Sequence, residues 1–293
     1  MKSALIALLA FCLCWGVGCS KNISEFEETK ALAEKGDKIA QFDLGGMYYS
    51  GEGVPEDLKE AAKWVRKAAE QGHAKAQHNL GVMYQKGQGV LADDKEAMKW
   101  YRKAAEQGDE KAQYNLAVMY DTGNGASQDF EEAAKWYRKA AEQGDAGAQH
   151  NLALMYDSGE GVPMNSKEAV KWFRKAAEQG YGQAQQNLGT MYAKGKGVQR
   201  DDKEAVKWFR KAAEQGEAFA QFQLGAAYGL GKGVLENYVT AYAWANIAQA
   251  NGDKTAPRFK SEFLEMKMTP EQIAEAEVLA KEMVKKNPKL INE

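Results

Sequence analysis

Apolar residues recur at helical spacing in short blocks, and each block stops at glycine. In residues 73–108, Ala76, Leu80, Met83 and Tyr84 stand at i, i+4, i+7 and i+8, which makes one apolar stripe along a helix. The string GQGV at 87–90 then breaks the pattern. Gly87 suits the left-handed residue that ends a helix, and Gly89 permits a tight reversal. Asp93 follows as an N-cap with Glu96 three residues on, the spacing of a capping box. Asp57/Glu60, Asp129/Glu132, Asn165/Glu168 and Asp201/Glu204 repeat that spacing. A second stripe, Ala97, Trp100, Tyr101 and Ala104, ends at Gly108. The pattern predicts two helices joined by a glycine turn.

The block is copied along the chain. Trp64, Trp100, Trp136, Trp172, Trp208 and Trp244 fall 36 residues apart, and KWYRKAAEQGD occurs at both 99–109 and 135–145. A period of this size implies a stacked array of helical pairs, with units over 37–72, 73–108, 109–144, 145–180, 181–216 and 217–252. Gly45, Gly81, Gly189 and Gly225 sit inside first helices, where glycine costs about 1 kcal/mol relative to alanine. The other units carry Ala117 and Ala153 there, so a close neighbour is expected at that slot. Residues 24–36 match only a second helix and read as an N-terminal cap. Residues 253–293 read as C-terminal capping helices, one near 256–267 and one opened by Thr269, Pro270 and Gln272.

The N-terminus changes the picture of where the chain works. Lys2 precedes a run of 15 apolar or small residues, short of the roughly 20 that span a membrane, so 1–18 reads as a signal peptide. GVGC at 16–19 resembles a bacterial lipobox, with Gly16 where leucine is usual. That resemblance implies lipidation at Cys19, although Gly16 and Gly18 also satisfy ordinary cleavage. An exported, periplasmic chain is expected, held at the outer membrane through Cys19 and a short tether over 19–23. Cys12, Cys14 and Cys19 are the only cysteines, so no disulfide framework follows them. The net charge of −2, with no basic block, argues against nucleic acid as a partner.

The strings AQHNLGVMYQKGQGV (76–90) and AMKWYRKAAEQG (97–108), six times in phase, resemble the Sel-one-like repeat, a relative of the tetratricopeptide repeat. The resemblance covers 37–252. It implies an all-α fold, an α/α right-handed superhelical solenoid of six 36-residue repeats whose first helices line a concave surface. It also implies a scaffold, adaptor or regulator. One cysteine-rich branch is linked to β-lactam binding, the alternative function. The absence of cysteine from every repeat departs from that branch.

Candidate chemistry is sparse. The histidines are His73, His78 and His150, without the i, i+3 or i+4 spacing of a helical metal pair, so no metal or cofactor is expected. No GxSxG, HExxH or Walker-type motif is present, and the chain is expected not to be an enzyme. The slots that differ between copies remain. Phe42, His78, Tyr114, His150, Gln186 and Phe222 share one slot, and Lys75 and Lys111 share another. By analogy with tetratricopeptide grooves these residues face the concavity and contact a partner protein or peptide. Beside them runs an amide row, Asn79, Asn115, Asn151 and Asn187. The row could bond an extended backbone or hold neighbouring repeats together. A monomer serving an envelope partner is the expected working form.

Overall fold

The computed structural model describes residues 25–292, so the expected signal peptide, Cys19 and the expected tether lie outside the described residues. Those residues form two compact units, divided between Ala140 and Ala141. The first unit holds α1 (25–34), α2 (Lys38–Ser50), α3 (Leu58–Glu70), α4 (Ala74–Lys86), α5 (Asp94–Glu106), α6 (Glu110–Thr122) and most of α7 (Phe130–Gln143). The second holds α8 (Ala146–Ser158), α9 (Ser166–Glu178), α10 (Gly182–Lys194), α11 (Asp202–Ala213), α12 (Ala218–Leu230) and α13 (Tyr238–Ala250). It closes with α14 (Ala256–Phe259), a π turn (Lys260–Leu264), α15 (Pro270–Lys286) and a short 3-10 turn (Pro288–Leu290). Within each unit successive helices pack in pairs, as the repeat pattern predicts. Even-numbered helices from α2 to α12 are the first helices of the repeats; α3 to α13 are the second.

Helix ends follow from local chemistry. Asp93 accepts from the backbone N–H groups of Lys95 (2.9 Å) and Glu96 (3.0 Å), and Asp57, Asn165 and Asp201 cap in the same way. Of the expected capping boxes, the one at Thr269 and Gln272 forms in full. In the repeats the glutamate turns away: Glu96 pairs with Lys99 and Glu60 with Lys63, because a charged partner one turn on outcompetes the cap N–H.

The core is built of small residues and rings. Leu80 and Ala76 are fully buried, and Tyr101 packs beneath Gly81 so closely that a Cβ there would stand 2.6 Å from its ring. That is the close neighbour expected from the mid-helix glycines. Gly89 is held by contact as well as by its φ of +70°. A Cβ there would stand 1.8 Å from the Leu58 carbonyl oxygen, at the start of the previous repeat's second helix.

Three features were not expected. First, a buried glutamine stands at one slot of every first helix: Gln41, Gln77, Gln113, Gln149, Gln185 and Gln221. Gln77 Nε2 donates to the Ala69 carbonyl at the end of α3 (2.9 Å), and its Oε1 accepts from Gln107 Nε2 (2.6 Å). These amides give each helix-end carbonyl a second donor beside the glycine N–H that closes the helix, as Gly72 N–H does at Ala69. Second, the arginine of the repeated phrase bonds across repeats. Arg66 donates to the Tyr84 hydroxyl and Arg174 to Tyr192 (2.6 Å each), and Arg102 reaches Tyr120 in the same way, so each ties one repeat to the next. Third, the chain's last residues return to repeat six. The Leu290 carbonyl accepts from Gln221 Nε2 (2.8 Å) and Asn251 Nδ2 (2.6 Å), which completes the glutamine row of the second unit.

Candidate functional site

The variable slots lie on the first helices, but they do not form one open row. In the first unit Lys75 and Lys111 are exposed, while Phe42, His78 and Tyr114 are half-buried. In the second, Gln186 is half-buried and His150 is buried at 5% exposure. Phe222 is also half-buried, and Phe259 of the C-terminal cap packs edge-on against it at 5.7 Å.

The two histidines at this slot bridge repeats. His78 Nδ1 lies 3.2 Å from Asn79 Oδ1, and its Nε2 lies 3.2 Å from Asn115 Nδ2. His150 repeats the arrangement with Asn151 (3.2 Å) and Asn187 (3.1 Å). An amide oxygen on one side and an amide N–H on the other fix a neutral ring, with its proton on Nδ1. Burial lowers the pKa of both rings. For His78, Lys111 adds to that effect while Asp109 and the Asn79 bond oppose it. Both ring nitrogens are therefore already used, and the asparagine row is partly structural. What it leaves free is Nδ2 on Asn79 and Asn151, and Oδ1 on Asn115 and Asn187.

One cavity opens on the first-helix side of the first unit, with a volume of about 270 Å³. Phe42, Gly45, Gly46 and Tyr49 of α2 form one wall, Val82 and Met83 of α4 face them, and Val65 of α3 is the floor. Asn79 stands at the rim, and Gln88 Nε2 donates to the Tyr49 hydroxyl at 3.1 Å across one end. The cavity exists because of one framework residue. The position of Val65 carries Tyr101, Tyr137, Phe173 and Phe209 in the next four repeats, all buried. Tyr101 touches His78 (5.7 Å between rings), lies beneath Gly81 and donates to Gln85 Oε1 (3.0 Å). One repeat earlier, the counterparts of those three contacts are Phe42, Gly45 and Tyr49, which line the cavity. Val65 still packs beneath Gly45, its Cγ2 2.6 Å from where a Cβ would be, but it has no ring to extend from there toward Tyr49, and the cavity lies beyond it. The signal was present in the sequence as KWVRK at 63–67 against KWYRK at 99–103.

Among the described residues no three His, Cys, Asp or Glu side chains are grouped to hold a metal ion, and no helix is long and apolar enough to cross a membrane.

Comparison with known proteins agrees with this repeat architecture. The Sel1 repeat model matches six times, at residues 38–73, 74–109, 110–145, 146–181, 182–217 and 218–253. The chain belongs to the Sel1 repeat family. A Sel1 repeat protein from Oxalobacter formigenes is 37% identical over 80% of this chain and 68% of that one, with a TM-score of 0.67. The protective antigen c5321 of uropathogenic Escherichia coli, which displays an SLR fold, is 34% identical over 92% of this chain and 73% of its own, with a TM-score of 0.41. Helicobacter pylori cysteine rich protein B is 27% identical over 44% of this chain and 92% of its own, with a TM-score of 0.36. No curated protein matches. Sel1 repeat proteins are in general non-catalytic scaffolds for protein interaction.

Proposed function

We propose that the chain is a non-catalytic interaction scaffold of the bacterial cell envelope that holds a partner polypeptide against its first helices. The observation that carries the reading is the division of labour among slots. Residues that agree between repeats, such as Leu80, Trp100 and Gln77, are buried, while the variable slots of the first helices are exposed or half-buried at every position named above except His150. The free Asn79 Nδ2 and Asn115 Oδ1 supply a donor and an acceptor for an extended backbone. Envelope location rests on the N-terminal sequence, with Cys19 as the lipidated residue and the outer membrane as the destination. A photo-crosslinking residue at Lys111 should capture a discrete partner in intact cells, while the same residue at Glu106 on the second helix should not. Equal capture at both sites would refute the reading. For the anchor, Cys19→Ala should release the protein from the membrane fraction; retention there would refute lipidation.

A further inference from the structure

The ring position that is short in repeat one is short in one other repeat, and there the structure shows how the space is closed. Ala245 stands at that position in repeat six. Phe259, from the cap beyond the repeats, packs on Phe222 and Ala245. Its Cζ comes within 3.0 Å of where a Cβ on Gly229 would be. Phe222, Gly229 and Ala245 are the counterparts of Phe42, Tyr49 and Val65, and Phe259 is the counterpart of Asn79. Repeat six thus receives an aromatic side chain from outside the repeats, whereas repeat one has Val65 on the floor and, at the position that Phe259 takes, Asn79 on the rim.

We propose that the repeat-one cavity is the anchor pocket for a single aromatic side chain of a partner polypeptide, with a lysine or arginine beside it in the partner's sequence. The proposal rests on the scaffold reading above and names the partner's chemistry. Size fits: about 150 Å³ of apolar cavity is enough for benzene, so about 270 Å³ admits a phenyl, phenol or indole ring. Access fits, because a Cβ added at Gly46 would meet nothing within 4 Å, whereas the same slot is Val82 and Val118 in the next two repeats. Polarity fits, since apolar walls take the ring and the free Asn79 Nδ2 at the rim can donate to the carbonyl of the residue that carries it. Charge supplies the second element. Asp43 is the one carboxylate in a row that continues as Asn79, Asn115, Asn151, Asn187 and Gln223. It is exposed one turn from Gly46, on the same side of α2.

The test uses the mature chain with isotope-labelled methyl groups and three blocked dipeptides: acetyl-Phe-Lys-amide, acetyl-Ala-Lys-amide and acetyl-Phe-Glu-amide. The Phe-Lys probe should shift the Val65, Val82 and Met83 methyl signals saturably, and the other two should bind at least about tenfold more weakly. Val65→Phe restores the ring found in repeats two to five. It should abolish the shifts at Val82 and Met83 while leaving the melting temperature equal or higher. Gly46→Leu closes the mouth from the other side and serves if Val65→Phe fails to fold. No saturable shift, or binding undiminished by a folded blocking variant, overturns the pocket. Partner capture from Lys111 reports separately: if it survives in Val65→Phe at full strength, the scaffold reading stands and the pocket proposal falls.

Discussion

Replacing Gln77 by alanine tests whether buried amides, rather than the visible asparagine row, hold successive repeats together. The wild-type side chain donates to the Ala69 carbonyl (2.9 Å) and accepts from Gln107 (2.6 Å). The Ala69 carbonyl keeps a second donor in the Gly72 N–H (3.0 Å), and Gln107 is exposed and can turn to water. No group is left wholly unsatisfied, so the loss is two neutral hydrogen bonds at about 1 kcal/mol each plus a small cavity, about 2–3 kcal/mol in all. Gln221 makes three bonds, to Ala213 (3.1 Å), to Leu290 (2.8 Å) and from Asn251 (2.9 Å), and is fully buried. Gln221→Ala should therefore cost more, about 3–4 kcal/mol. Asn79 is exposed with a single bond to His78, so Asn79→Ala should cost under about 0.5 kcal/mol.

Urea unfolding followed by far-ultraviolet circular dichroism gives the ranking from the midpoints, and hydrogen exchange at the C-terminal end of α3 localises the Gln77 effect. Gln77→Leu separates packing from bonding, because it keeps the volume and removes both bonds; it should still lose at least about 1 kcal/mol. A wild-type midpoint for Gln77→Leu, or an Asn79→Ala cost equal to that of Gln77→Ala, would refute the argument.

Other consequences can be measured on the same protein. Burial lowers the pKa of His73, His78 and His150 below the ordinary value of 6.5, so the unfolded chain binds more protons than the folded one just below that pH. Stability should be full above about pH 6.5 and fall as pH drops toward 5. His78→Gln/His150→Gln should flatten that part of the melting-temperature profile, and an unchanged slope would count against the bridged neutral rings. Gly197→Ala and Gly180→Ala both place a side chain at positive φ, but only at Gly197 does the new Cβ meet a backbone oxygen, Ser166 O at 2.2 Å. Gly180→Ala should cost about 1 kcal/mol and Gly197→Ala clearly more, and equal midpoints would refute the close-approach argument. Tyr192→Phe removes the acceptor for Arg174 and should lower the urea midpoint slightly without changing helix content. A midpoint equal to wild type would show that this pair adds nothing.

The periodicity of Trp, Leu and Gly predicted the helices, the turns and the close contacts at Gly45, Gly81, Gly189 and Gly225, because these depend on backbone geometry and residue size. Side-chain bonds that cross from one repeat to the next have no such signature. Arg102 has charged neighbours of the kind that mark a solvated helix face; its partner Tyr120 lies 18 residues away and has no place in a single-helix pattern. His78 and His150 were read as partner anchors because they vary, yet each is held by an asparagine 37 residues on. The glutamines carried a readable signal, since a polar residue repeated at one slot of every first helix needs a reason. That reason is a row of helix-end carbonyls, visible only once the helices are stacked.

The distribution of rings joins frame and function. Where copies disagree on an exposed slot, the change alters one surface side chain and leaves the frame intact. Where they disagree on a buried slot, the effect reaches the surface, because the first helices are a single layer over the rings of the second. Tyr101 fills the space beneath Gly81, so the surface of repeat two is closed and only its side chains can be read by a partner. Val65 sits as close beneath Gly45, its Cγ2 2.6 Å from where a Cβ would be, but it has no ring to reach on toward Tyr49, so the surface of repeat one has depth. An exposed substitution can tune a contact, but only a change in the floor can create a pocket. The residue that sets the proposed pocket apart is therefore buried at 4% exposure, inside the phrase that otherwise repeats most faithfully.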